Sequence, residues 1–189
     1  MQPGSGEKYS TGKTTPKKSS RGKSGPAQDY KEVFEKAGKN GLHLVAHAGE
    51  DVGPESIWHA IEDLGIERIG HGISAKEDSA LMDYLANTQI PLEICPMSNV
   101  FTGKYVSSYE DHPIKEFFKR GIYVTVNTDD PTIFGAELID EYTNLIRKGI
   151  FSKEDAFTLI KNTLHASFLP DAQKRELMKK TDEFEVEFR

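Results

Sequence analysis

The sequence predicts an α/β fold built on a parallel sheet, and three observations carry that prediction. Four apolar runs, residues 42–46, 66–70, 91–95 and 122–126, alternate with stretches of helical periodicity. That is the pattern of strands buried on both faces and of the helices that connect them. The runs end near positions 47, 71, 95 and 127, and the first two intervals are 24 residues each, the spacing that consecutive right-handed βα units produce. The concentrated polar chemistry falls just after the runs: His47 with Glu50, His71, Ser98 with Asn99, and Asp129 with Asp130. In a TIM (β/α)8 barrel such strand ends converge on one mouth. A doubly wound sheet stays open as an alternative, although it would gather its site at one switch point.

Residues 1–27, rich in Gly, Ser, Thr, Lys and Pro with almost nothing to bury, read as a disordered basic tail, and 28–189 as the folded part. Gly12-Lys13-Thr14 brushes a phosphate-loop motif, but its spacing from Gly6 is wrong and no strand precedes it. Val33, Phe34 and Ala37 suit a short helix that Gly38 to Gly41 ends. The first strand then runs into Asp51-Val52-Gly53-Pro54, whose proline suits the first position of a helix with Ile57, Trp58, Ile61 and Leu64 on one face. After the second strand, Ser74 and Glu77 predict a capping box for a helix that buries Leu81, Tyr84 and Leu85. The third strand leads into Pro96-Met97-Ser98-Asn99, read as a polar turn, and a loop over 100–112. Pro113 opens a helix burying Ile114, Phe117 and Phe118, stopped by Gly121. Three helical patterns follow the fourth strand, over about 136–148, 153–166 and 171–181, with Ser152 as N-cap of the second and Pro170 dividing the last two.

Composition bounds the rest. A chain of 189 residues with 37% hydrophobic and 29% charged residues supports one globular core. Net charge is -6, yet residues 1–26 carry six Lys and Arg against Glu7 alone. Those charges are scattered, and Tyr9 is the lone aromatic among them, which argues against a nucleic-acid arm and for a solubilising tail. Cys95 is the single cysteine, so no intrachain disulfide forms, as suits a reducing compartment. No apolar run is long enough for a membrane span, and the N-terminus lacks the apolar core of a secretory signal, so a cytoplasmic location is expected.

A histidine and an aspartate from different strands can hold a divalent metal such as zinc. Such a metal makes hydroxide available near neutral pH. A second histidine can orient that hydroxide or take its proton, and a nearby carboxyl can deliver a proton to the substrate. The residues therefore point to a metal-assisted hydrolase, with His47, Glu50, His71, Asp129 and Asp130 expected to meet in one cavity.

Four segments then become specific in register: His47-Ala48-Gly49-Glu50, Arg68-Ile69-Gly70-His71-Gly72, Cys95-Pro96-Met97-Ser98-Asn99 and Asn127-Thr128-Asp129-Asp130-Pro131. With Asn162 to Phe168, they make residues 28 to 170 resemble the adenosine deaminase family. The resemblance implies a zinc-dependent TIM barrel that converts adenosine, or a related purine nucleoside, to inosine and ammonia. It implies His47 and Asp129 as zinc ligands, Glu50 as the group that protonates purine N1, His71 as the group that positions the attacking hydroxide, and Asp130 as a hydrogen-bond partner of hydroxide and substrate. The other zinc deaminase class needs a Pro-Cys-x-x-Cys element, which one cysteine excludes.

The chain also departs from that pattern. The family's first strand carries a His-x-His that supplies two more ligands, and no His-x-His occurs here. His43 sits about 13 Å along the strand from His47, too far for the same ion, and His59, His112 and His165 read as structural or solvated. A whole barrel takes about 250 residues and eight strands, so four strands are expected to be a partial barrel of about four βα units plus C-terminal helices, resembling the family's second half. Three expectations follow: zinc held weakly or not at all, self-association through two open sheet edges, and, as the alternative to an enzyme, a catalytically inactive fragment acting as a binding partner.

Overall fold

The computed structural model describes residues 26–188. The expected tail lies outside the described residues apart from Pro26 and Ala27, and Ala27 opens a 3-10 turn, Ala27–Tyr30, that leads into α1 (Lys31–Lys39). Four strands form one parallel sheet in chain order: β1 (Val45–Ala48), β2 (Arg68–His71), β3 (Leu92–Ile94) and β4 (Val124–Val126). Helices follow each strand, as the alternation predicts: α2 (Pro54–Leu64) after β1, α3 (Ser79–Thr88) after β2, then α4 (Pro96–Thr102) and α5 (Ile114–Lys119) after β3. Beyond β4 come α6 (Pro131–Phe134), α7 (Leu138–Arg147), α8 (Lys153–Ala166) and α9 (Asp171–Glu187). The core between sheet and helices is mainly aliphatic, with Ile57, Ile69, Leu81, Leu85, Leu92, Ile94, Ile114, Val124 and Leu159 fully buried beside one aromatic ring, Phe117. Among the described residues, no helix is long and apolar enough to cross a membrane.

Each strand is shorter than its apolar run, for local reasons. Leu44 accepts from Glu67 N at 2.7 Å, but its own N–H goes to the Glu67 side chain, so regular pairing starts at Val45. Leu42, counted as strand core, is exposed. Pro91 accepts from Ile69 N and has no N–H to give, so β3 begins one residue later.

Three local expectations are corrected. Asp78, not Ser74, caps α3: its carboxylate accepts from Ala80 N and Leu81 N, and from the Trp58 indole N–H at 2.9 Å. Ser74 is fully buried in the 3-10 turn Ile73–Glu77 instead, and Tyr84 lies at the surface. Pro96-Met97-Ser98-Asn99 is not a turn but the start of α4, where proline takes the first helical position. Asp130 starts a further single-turn helix, α6, because its side chain satisfies one of the donors that every helix start leaves open. The Ser152 cap on α8 stands as predicted, with Asp155 completing the box.

The outer strands differ in cover. Residues 123, 125 and 127 direct their backbone groups at β3, so Val124 faces away, and its carbonyl accepts from Asn162 of α8 at 3.0 Å. Tyr123 donates its hydroxyl back to Asn162 O at 2.9 Å, which binds α8 to this edge. At β1, α1 and the 3-10 turn lie across a cavity of about 330 Å³ whose wall includes Tyr30, Phe34, Ala46 and Leu64.

Candidate active site

His47 is the third residue of β1 and is exposed at the strand end. Its β2 neighbour in register is Gly70, and a Cβ there would meet the His47 ring before anything else. Glycine at 70 is therefore the clearance that lets the imidazole lie across the sheet. Past β1 the chain turns at Gly49, φ +70, whose missing side chain leaves room for Ile57 and Ser74. The Gly49 N–H donates to Ser56 Oγ at 2.8 Å and its carbonyl accepts from Ser74 N at 2.9 Å, tying this loop to α2 and to the loop after β2. Glu50, mostly buried, leans back so that Oε2 stands 3.4 Å from His71 Nε2.

His71 ends β2 with φ +63 and is 1% exposed. A non-glycine residue in the left-handed region costs free energy and persists only where its surroundings hold it. What holds it is a buried side-chain contact: Asn99 Nδ2 lies 2.9 Å from His71 Nδ1. The His71 ring also packs edge-to-face on His47, with centroids 4.8 Å apart. Asn99 reaches this position from α4, whose start is fixed from beneath by Glu141 of α7. That carboxylate is fully buried and accepts from Met97 N at 2.9 Å and from the Tyr109 hydroxyl at 2.8 Å. Burial raises the Glu141 pKa, and burial with the Glu141 contact raises that of Tyr109.

Asp129, after β4, is the second candidate residue in the left-handed region, φ +62. Ser98, one residue before Asn99, donates its hydroxyl to Asp129 Oδ2 at 2.7 Å. Two adjacent residues of α4 thus brace one candidate residue each. His47, Gly70, His71 and Asp129 share a cavity of about 280 Å³ with Cys95, Asn127 and Thr128. The Cys95 thiol is buried there, and burial followed by Asp129 drives its pKa well up, so it remains a neutral thiol.

Of His47, Glu50, His71, Asp129 and Asp130, the fold brings His47, His71 and Asp129 into one cavity wall, whereas Glu50, 3.4 Å from His71, lines the neighbouring cavity of about 330 Å³ together with His47. Asp130 stands beside them, with its carboxylate engaged at the start of α6, accepting from Ile133 N at 3.1 Å. His47, Glu50 and His71 can each offer a ligand atom within 4.8 Å of the others. Two imidazoles and a carboxylate, with Asp129 across the cavity, suit a divalent cation of the zinc type. Sequence reasoning missed His112. It is 4% exposed and sits with Nε2 3.2 Å from Asn99 Oδ1, in contact with the site rather than apart from it. No spacing rule marks it; its position just before the proline at the start of α5 is the one local signal.

The comparisons with known proteins agree with this geometry. The chain is 44% identical over 158 residues to the adenosine deaminase of Salmonella typhimurium, which takes in 84% of this chain and 47% of that protein. It is 42% identical over 159 residues to the aminodeoxyfutalosine deaminase of Streptomyces avermitilis, covering 84% of this chain and 44% of that protein. In structure it is similar to the adenine deaminase of Arthrobacter aurescens, with a TM-score of 0.82 and 36% identity over 84% of this chain and 48% of that one. The chain therefore spans about half the length of the curated relatives it matches, and its four βα units correspond to part of their TIM barrel. The adenosine deaminase family model matches residues 18–184, and the chain belongs to the adenosine deaminase family.

Proposed function

We propose that this chain carries the acid and nucleophile-orienting half of a site for hydrolytic deamination of a 6-aminopurine, adenosine or a related adenine nucleoside being the leading substrate. The supporting observation is that His47, His71 and Asp129, from three strand ends, share one cavity wall while Glu50 lies 3.4 Å from His71. The relatives named above act on adenosine, aminodeoxyfutalosine and adenine, which share an amino group on a purine six-membered ring. In the reaction, water adds its oxygen to C6, the bond from C6 to the amino nitrogen breaks, and ammonia leaves as C6 becomes a carbonyl. Glu50 delivers a proton to purine N1, which makes C6 electrophilic. His71 orients the attacking oxygen, and Asp130 hydrogen-bonds the hydroxide and substrate. His47 and Asp129 would hold a divalent cation, zinc by the family resemblance, which when bound supplies hydroxide near neutral pH.

The other reading is a catalytically inactive binding partner. It is favoured by one observation, the lack of any His-x-His in the chain, since catalytic zinc sites usually have three protein ligands or more. Ammonia release from adenosine and from adenine, measured with and without added zinc, separates the two. The enzyme reading expects zinc-dependent turnover that Glu50→Gln reduces at least ~100-fold, in line with loss of a general acid. Failure of both adenosine and adenine to give ammonia, with zinc added as well as without, would sink it.

A further inference from the structure

Two buried groups outside the reacting set, Asn99 and His112, form a hydrogen-bonded line into His71, and the line can be oriented from its far end. The Ile114 backbone N–H can only donate, and it meets His112 Nδ1 at 3.1 Å. That nitrogen must hold a lone pair, which puts the proton of a neutral ring on Nε2. The ring is neutral: His112 is 4% exposed, and burial, followed by Lys76, drives its pKa down to about 3. His112 Nε2–H then faces Asn99 Oδ1 at 3.2 Å, which fixes the direction of the Asn99 amide. The amide's nitrogen is thereby the group 2.9 Å from His71 Nδ1. An amide N–H donates, so His71 Nδ1 accepts and the His71 proton resides on Nε2, the nitrogen 3.4 Å from Glu50 Oε2.

We infer that His112 is a positioning residue which, through Asn99, fixes His71 as its Nε2–H tautomer, so that His71 presents a hydrogen-bond donor to the site and not a cation ligand. A ligating nitrogen needs its lone pair, and the remaining ring nitrogen is already committed to Asn99. This leaves His47 and Asp129, the pair named above, as the donors for a cation, with Glu50 kept for its proton. It also gives His71 the polarity needed to hold an attacking oxygen rather than to deprotonate it. That consequence for catalysis rests on the deaminase reading; the tautomer does not.

The test is the imidazole nitrogen spectrum of the metal-free chain at about pH 9, where an ordinary imidazole is neutral. The His71 signals are assigned by their loss in His71→Gln. The expected pattern is a pyridine-type Nδ1 and a pyrrole-type Nε2 on His71. Asn99→Asp replaces the donor with an acceptor and should exchange the two types. His112→Gln retains an N–H toward Asn99 and should preserve the pattern, whereas His112→Phe removes it and should give averaged shifts. A pyrrole-type Nδ1 in the unsubstituted chain overturns the tautomer, and an unchanged pattern in folded His112→Phe overturns the role of His112. Should His112→Phe fail to fold, folded His112→Leu, which also removes the N–H, decides the role of His112 in its place, and the unsubstituted chain and Asn99→Asp still decide the tautomer. Activity does not enter, so an inert chain with the expected spectrum would sink the proposed function and leave this inference standing.

Discussion

The two sides of the site are held by different physics. On the β3–β4 side, three groups are each held by a buried polar partner: Asn99 by His112, Asp129 by Ser98, and the start of α4 by Glu141. On the β1 side, His47 is exposed on an outer strand, where the missing side chain of Gly70 gives its ring clearance and the ring packs edge-to-face on His71. Buried hydrogen-bonded networks specify one geometry because each lost partner leaves a desolvated group behind. Clearance permits a geometry without enforcing it. The β3–β4 side should therefore resist perturbation until it breaks with the fold, and the β1 side should lose its function while the fold survives.

The sharpest way to break this contrast is Glu141→Ala. It strands the Met97 N–H and the Tyr109 hydroxyl in a fully buried position. At roughly 1–3 kcal/mol per unsatisfied buried group, the expected loss is about 3 kcal/mol or more, read from urea unfolding. Glu141→Gln retains an acceptor for Met97, and the Tyr109 hydroxyl can rotate to accept, so about 1 kcal/mol is expected. Equal losses in the two variants would mean that α4 is anchored by packing and not by this carboxylate.

A second effect comes from His112. Its pKa is about 3 in the fold, because burial disfavours the charged ring, against an ordinary value of 6.5. Below about pH 6.5 the unfolded chain therefore binds a proton that the folded chain refuses. Stability is fully present above that pH and falls as pH drops toward 3, by up to about 1.4 kcal/mol per pH unit. Glu141 works in the opposite direction: its raised pKa means that acidification relieves a buried charge. The His112 contribution is thus read as the difference in acid slope between the unsubstituted chain and His112→Gln. Parallel slopes for the two would show that the histidine is solvated.

How much of this was legible follows from how far each signal travels along the chain. The strands and helices were readable because burial imposes a period on neighbouring residues, and the strand-end motifs marked His47, Glu50, His71 and Asp129 as residues of one sheet edge. The cap on α3 was misread because Ser74 with Glu77 and Asp78 alone are both sound helix starts, and the choice is made by Trp58, twenty residues earlier, whose indole donates to Asp78. The short α4 was hidden because seven residues are too few to show a helical period. The line from His112 through Asn99 to His71 joins side chains 13 and 28 residues apart. No local pattern encodes such a contact; it exists only once the sheet has set β2 beside β3.

The smallest expected effect on stability, and the most telling for the comparison, belongs to Gly70→Ala. All the nearest atoms to an added Cβ are those of the His47 ring. Because His47 is exposed, its side chain can swing away from the sheet. Relief of glycine's backbone entropy in a strand, about 0.5–1 kcal/mol, offsets part of whatever strain remains. The fold should therefore change by less than about 1 kcal/mol. The displaced imidazole, however, no longer lies near Glu50 and His71, so a cation held through it should bind at least ~10-fold more weakly, about 1.4 kcal/mol at 25 °C. Zinc titration by calorimetry beside urea unfolding reads both quantities on one sample. Unchanged zinc affinity with a displaced His47 would remove it from the ligand set. A collapse of stability would instead show that the β1 side is held as firmly as the β3–β4 side, and the contrast drawn above would fail.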